Sequence, residues 1–116
     1  MITLHIEHPI TDYGTWRAAF DGFAGARRAA GAVAERVARP LDDPHAIVVD
    51  LDFDTRERAA GFLQFLESRV WSSPTNSPAL AARPRTAIFE SVPEVAAVPA
   101  PADGDPPEGM AGLRDQ

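Results

Sequence analysis

Cysteine and lysine are both missing from the 116 residues, tyrosine occurs once, and no apolar run approaches the ~20 residues that a membrane-spanning helix needs. Without cysteine there is no disulfide framework, no thiolate metal site and no cysteine nucleophile. All eleven bases are arginine, scattered among seventeen acids, so the net charge is −6 and the pI is near 4.9. That balance argues against a nucleic-acid or anionic-membrane partner, because phosphate binding needs a concentrated positive field. Gly-rich phosphate loops, serine nucleophile elbows and His-Glu metal helices are also absent, which removes most nucleotide and hydrolytic chemistries. No charged segment followed by an apolar core opens the sequence, so a cytoplasmic location is expected.

What is present divides in two. Residues 93–116 hold five of the eleven prolines, no aromatic residue and five acids against Arg114. Such a segment cannot bury enough apolar surface to offset its ordering entropy, and a disordered tail is expected. Residues 1–92 keep ten bases and twelve acids and contain every aromatic residue, enough for one core.

Within this body, Ile2, Leu4 and Ile6 alternate with Thr3, His5 and Glu7, the period of a strand with one buried face. His8-Pro9 ends it, and Thr11 or Asp12 offers an N-cap oxygen to a helix over about Tyr13 to Ala30. Its aromatic stripe is Tyr13, Trp16, Phe20 and Phe23; Gly22 and Gly25 weaken its middle, and Gly31 suits a left-handed stop. Val33 to Arg39 alternates as an edge strand. The turn Pro40 to Pro44 joins it to His45–Phe53, the clearest strand in the chain. Asp54-Thr55-Arg56-Glu57 carries a capping-box signature ahead of a second amphipathic helix from about Thr55 to Trp71. Residues 72–78 form a loop, Ala79 to Ala82 a short turn, and Thr86 to Val92 a last strand.

The order strand, helix, strand, strand, helix, strand predicts an α+β, ferredoxin-like βαββαβ fold, an antiparallel or mixed four-stranded sheet with two helices on one face. Strands one and three are expected at the centre, parallel to each other. Ile2, Leu4, Ile6, Ile47, Val49, Leu51 and Phe53 should face Trp16, Phe20, Phe62, Leu63 and Leu66. The other face should carry Thr3, His5 and Glu7 beside Val48, Asp50 and Asp52, with Arg36 nearby, turned toward an enclosed hollow.

Neighbouring strands lie ~5 Å apart, so His5 falls beside Asp50, which would orient and charge-stabilise the imidazole as a general base. The plainer alternative is the wet face of an alternating strand. If a partner covers that face, His5, Glu7, Arg36, Asp50 and Asp52 need partners or a water-filled cavity. His8 and His45 stand at element ends, and no histidine pair has metal-ligand spacing on a helix, so no metal is expected. Tyr13 and Trp16 read as core, while Trp71, just before the Ser/Pro/Asn loop, is placed to line a cleft mouth with Asn76 or Tyr13.

The run Glu7-His8-Pro9-Ile10-Thr11-Asp12-Tyr13, Trp16, Phe20-Asp21, then Arg39, Asp42-Asp43-Pro44 and Asp52-Phe53-Asp54 resembles dimeric α/β-barrel proteins related to antibiotic-biosynthesis monooxygenases. The resemblance spans residues 1–92, and its motifs are caps, turn and core aromatics. It implies a homodimer, a dimeric α/β barrel whose sheets often pair face to face, and a small, partly apolar ligand held between sheet and helices. Family members oxidise polycyclic phenols without a cofactor, degrade haem, or have no known reaction. Haem-degrading relatives use a histidine near the second helix, whereas here none follows His45. The implied activity is a cofactor-independent monooxygenase or cyclase-like reaction on an aromatic or polyketide-type substrate, with no cofactor. His5 is the candidate base and Asp50 its orienter; Tyr13, Trp71, Asn76, Arg36 and Glu7 are the candidate substrate contacts, with Arg85 an alternative to Arg36. The competing expectation is a non-catalytic ligand-binding or interaction protein of the same fold.

Overall fold

The computed structural model describes residues 1–92; the expected tail, 93–116, lies outside the described residues. The elements are β1 (Ile2–Pro9), α1 (Tyr13–Gly22), α2 (Ala24–Ala29), β2 (Ala32–Ala38), β3 (Ala46–Phe53), α3 (Arg56–Phe65), a π-helical turn (Leu66–Val70) and β4 (Arg85–Glu90). They build one sheet in the order β2-β3-β1-β4, antiparallel at every pairing. β1 and β3 are central as expected, but they run antiparallel, not parallel. The β2–β3 hairpin reverses the chain, so β3 enters between two strands, β1 and β2, that are parallel to each other. Same-face neighbours are unaffected by strand direction, and His5 does stand opposite Asp50.

Period-two patterning decides which face is covered. Leu4, Ile6, Ile47, Val49, Leu51 and Phe53 are buried beneath the helices with Trp16, Ala59, Phe62, Leu66 and Val70. Trp16 stacks on Phe20 at 4.7 Å between centroids, and Phe53 meets Phe62 at 6.0 Å. Among the described residues nothing covers the opposite face.

Asp12 is the first N-cap, its side chain accepting the Thr15 N–H at 2.9 Å. The single helix expected over Tyr13 to Ala30 is instead two, broken at Phe23 after Gly22, where the missing side chain makes a bend inexpensive. Phe23 N–H turns back to Phe20 O, and the Phe23 ring reaches Phe65 edge-on at 6.3 Å. Gly31 is the expected left-handed stop, at φ 99°. The second N-cap is Thr55, which accepts from Arg58 N–H. Glu57 is therefore not three residues beyond the cap, and the capping box does not form. The second helix also changes character at Leu66, where Trp71 N–H bonds back five residues to Leu66 O at 2.7 Å. Ala79 and Leu80 do not form a free turn: Leu80 bridges Ile10, and Ala79 O accepts from Thr11 N–H.

Candidate functional site

Two polar neighbourhoods emerge, one on each side of the sheet. On the uncovered face, His5 places Nδ1 2.6 Å from Asp50 Oδ1 and Nε2 2.8 Å from Glu7 Oε2. A carboxylate can only accept, so both ring nitrogens donate and the imidazole is held as its cation. These bonds, Glu7 first and Asp50 second, raise the His5 pKa above its usual 6.5. The same bond lowers the Glu7 carboxyl, which also accepts from Arg85 at 3.1 Å. Beside this string, Arg36 clamps Asp52 through two N–H groups at 2.9 and 3.1 Å, and Thr3 donates to Asp52 at 2.7 Å. The Arg36 clamp holds the Asp52 carboxyl below its usual range. Phe89, half-exposed, sets its ring edge-on to His5 at 5.9 Å.

On the covered face, a partly open cavity of about 70 Å³ lies between the sheet and α1, α2 and α3. Its floor includes Ile6, Val49 and Leu51, and its roof includes Trp16, Phe62 and Leu66. Polar and amphipathic side chains also join this lining, among them His8, Arg27, Trp71, Asn76 and Ser77. A shallower hollow between α1 and the loop shares Ala19, Phe23 and Asn76 with it, which places a mouth there.

The local sequence explains each position. His8 has the parity of Leu4 and Ile6, so it points under the helices, where it is only 7% exposed. Burial lowers its pKa below 6.5. Its Nδ1 lies 3.1 Å from Pro9 O, and its ring is 6.4 Å from that of Trp71. The π turn positions Trp71 by adding one residue to the helical circuit, a device often found at functional sites. The following loop is tied to that turn by Ser77 Oγ donating to Val70 O and Asn76 Nδ2 donating to Arg69 O, both close to 2.8 Å. Arg27 is buried with its guanidinium 3.6 Å from the Phe20 ring centre, donating to Glu35 at 2.7 Å and to Phe20 O at 2.6 Å.

The sequence-derived candidates are thus parted. Trp71 and Asn76 line the cavity. His5, Asp50, Glu7 and Arg36 gather on the other face, with a full layer of sheet between them and the cavity. Tyr13 lies outside the lining, half-buried against Trp16 and beneath the Arg39 guanidinium. The expectation of one cleft walled by Tyr13 and Trp71 and served by His5 and Asp50 is corrected accordingly: the hollow is on the apolar side. His8 and Arg27 were not among the candidates, although each had a signal. His8 shares the apolar parity of its strand, and Arg27 falls four residues after Phe23 and seven after Phe20, on the aromatic stripe.

No family model matches the sequence, and no curated protein is significantly similar to it. Solved structures do match in shape. A putative antibiotic biosynthesis monooxygenase from Bordetella bronchiseptica superposes with a TM-score of 0.63 at 14% identity, over 78% of this chain and 96% of the other. SnoaB, a cofactor-independent oxygenase from Streptomyces nogalater, gives 0.61 at 14% identity, over 81% and 95%. A dimeric ferredoxin-like protein from an uncultured marine organism gives 0.58 at 12% identity, over 81% and 97%. The chain therefore has the ferredoxin-like fold of the antibiotic biosynthesis monooxygenase structures, the architecture that the sequence resemblance implies.

Proposed function

We propose that this protein binds a small, partly apolar aromatic molecule in the cavity between sheet and helices and oxidises it as a cofactor-independent monooxygenase. The observation that carries this reading is an apolar hollow into which a few polar groups converge, His8 and Asn76 beside Trp71. SnoaB, similar in shape, is a cofactor-independent oxygenase. The balanced reaction is oxidation of an activated ring CH₂ by O₂: the substrate loses a proton, the resulting anion is attacked by O₂, one oxygen stays as a carbonyl and the other leaves as water. An apolar pocket suits this, since it keeps bulk water from the electron-rich anion. We further propose a homodimer that pairs the uncovered sheet faces. Phe89 and the Arg85–Glu7–His5–Asp50 string would then be interface groups, and a shape neighbour is dimeric.

A second reading, ligand binding without catalysis, is favoured by one observation. His5, the histidine proposed from sequence as base, lies on the face away from the cavity, with both ring nitrogens engaged by Asp50 and Glu7. Aerobic incubation with an anthrone separates the two. Oxygenation predicts the quinone and water with oxygen uptake equal to product, and Trp71→Ala should cut turnover by at least tenfold by removing a wall that fixes the ring. Binding of the anthrone with no oxygen uptake would leave only the non-catalytic protein.

A further inference from the structure

We infer that the uncovered sheet face is a proton-dependent interface: two copies of this chain pair through it while His5 is an imidazolium and separate as His5 loses its proton. This rests on the paired-face reading above and adds what controls the pairing.

Strand register gives the charged membership of that face. Around His5 stand Glu7 of β1, Asp50 and Asp52 of β3, Arg36 of β2 and Arg85 of β4. Small or apolar side chains lie between them, Val48, Ala87 and the half-exposed Phe89 among them. Three carboxylates thus meet two guanidiniums, and the face is neutral only when His5 supplies the third cation.

Neutrality matters because a two-fold pairing lays a face against its own image. A chain of net charge −6 gives two copies no general attraction. With His5 charged, the ions are already matched within each copy: Arg36 on Asp52, Arg85 on Glu7, and His5 between Glu7 at 2.8 Å and Asp50 at 2.6 Å. Without that proton, each copy brings one uncompensated negative charge to the other.

The hydrogen bonds impose the same condition. Carboxylates only accept, so a neutral ring must turn a lone pair toward one of them at less than 3 Å. In a single chain that contact is tolerable, because His5, Asp50 and Glu7 are all partly exposed and water screens them. Pairing expels the water and makes the same contact expensive. The paired state therefore holds the proton more firmly than the single chain does, and by linkage the proton holds the pair together.

The test is sedimentation velocity of the full chain over a dilution series, at constant ionic strength, from pH 6 to pH 9. The bonds to Glu7 and Asp50 raise the His5 pKa above 6.5, so affinity is full at the acid end and falls on the alkaline side. The sequence has neither lysine nor cysteine, so few other side chains change charge over that range. The native dimer should be at least about tenfold weaker at pH 9 than at pH 6, with two protons lost per pair. Glu7→Gln removes one carboxylate and offers an amide donor to a neutral His5, so its dimer should keep most of its affinity at pH 9. His5→Gln, which leaves the Met1 amino group acting on Asp52, should lose the pH dependence. Should His5→Gln not fold or not pair, the native chain and Glu7→Gln decide the matter. A native dimer that does not loosen toward pH 9 overturns the inference and leaves the paired face intact, as does a His5→Gln or Glu7→Gln dimer that loosens as much as the native one. A native chain that is monomeric throughout removes both, and leaves the face to another partner or to water.

Discussion

Removing the carboxylate of Glu35 should destabilise the fold more than removing the charge of Arg27. The Arg27 side chain is 5% exposed and that of Glu35 is 43% exposed, so one member of the pair is deep and the other half in water. Breaking a fully buried pair at one end costs about 3–5 kcal/mol, since it strands a desolvated charge. Here solvent screens Glu35, and the stranded guanidinium would keep Phe20 O and the Phe20 ring, so roughly half that range, about 2 kcal/mol, is expected for Glu35→Ala. Arg27→Met keeps the buried stem and removes the charge that needs a partner. Phe20 O still receives Phe23 N–H, so nothing is orphaned there, and about 1 kcal/mol or less is expected. For a folded body of this size each kcal/mol moves Tm by about 4–8 °C, which makes both changes readable by thermal unfolding. The double variant should lie close to Arg27→Met alone. A double variant equal to the sum of the singles, or Arg27→Met costing more than Glu35→Ala, would refute the reasoning.

Gly31→Ala should lower stability by about 1–2 kcal/mol, the cost of a left-handed conformation for an L side chain, and a new Cβ there would lie 2.8 Å from Arg58 Cδ; unchanged thermal unfolding would contradict the assigned turn. His5→Gln should show a pH-dependent deficit. The raised folded pKa of His5 means that its contribution is complete below 6.5 and disappears as pH rises through the folded value. The lowered pKa of Glu7 means that its contribution is complete above 4.5 and disappears on further acidification. The Tm gap between the native chain and His5→Gln should therefore be widest between about pH 4.5 and 6.5 and narrow at pH 9; a flat gap would dismiss the imidazolium assignment. Native mass spectrometry should report a dimer, and Phe89→Asp should shift it toward monomer, whereas a native chain that stays monomeric would remove the paired-sheet proposal.

The two central strands were legible because each alternates cleanly: Leu4/Ile6 against Thr3/His5, and Val49/Leu51 against Val48/Asp50. Alternation fixes which residues share a face, and His5 meets Asp50 at the centre in either direction, but it carries no information on strand direction, on which the Thr3–Asp52 pair depends. That is why β1 and β3 could be paired correctly and oriented incorrectly. Caps were legible at Asp12 and only partly at Thr55, where Asp54 offers an equally suitable oxygen one residue earlier. The weak point at Gly22 is visible in the sequence, but that the helix breaks there, and that the second helix takes a π turn at Leu66, is not encoded by local sequence alone. Of the cavity lining, Trp71 and Asn76 are legible from their place beside a loop, while His8 is less so because Pro9 marks it as a strand end and polarity suggests the wet face. Its parity says otherwise, and parity prevailed.

The location of bound ligand tests the account most directly. With methyl-labelled protein and p-cresol, intermolecular NOEs are predicted to Val49, Leu51, Leu66 and Val70, whose side chains belong to the covered face. NOEs to Val48 and Ala87 instead, beside His5 on the uncovered face, would contradict it.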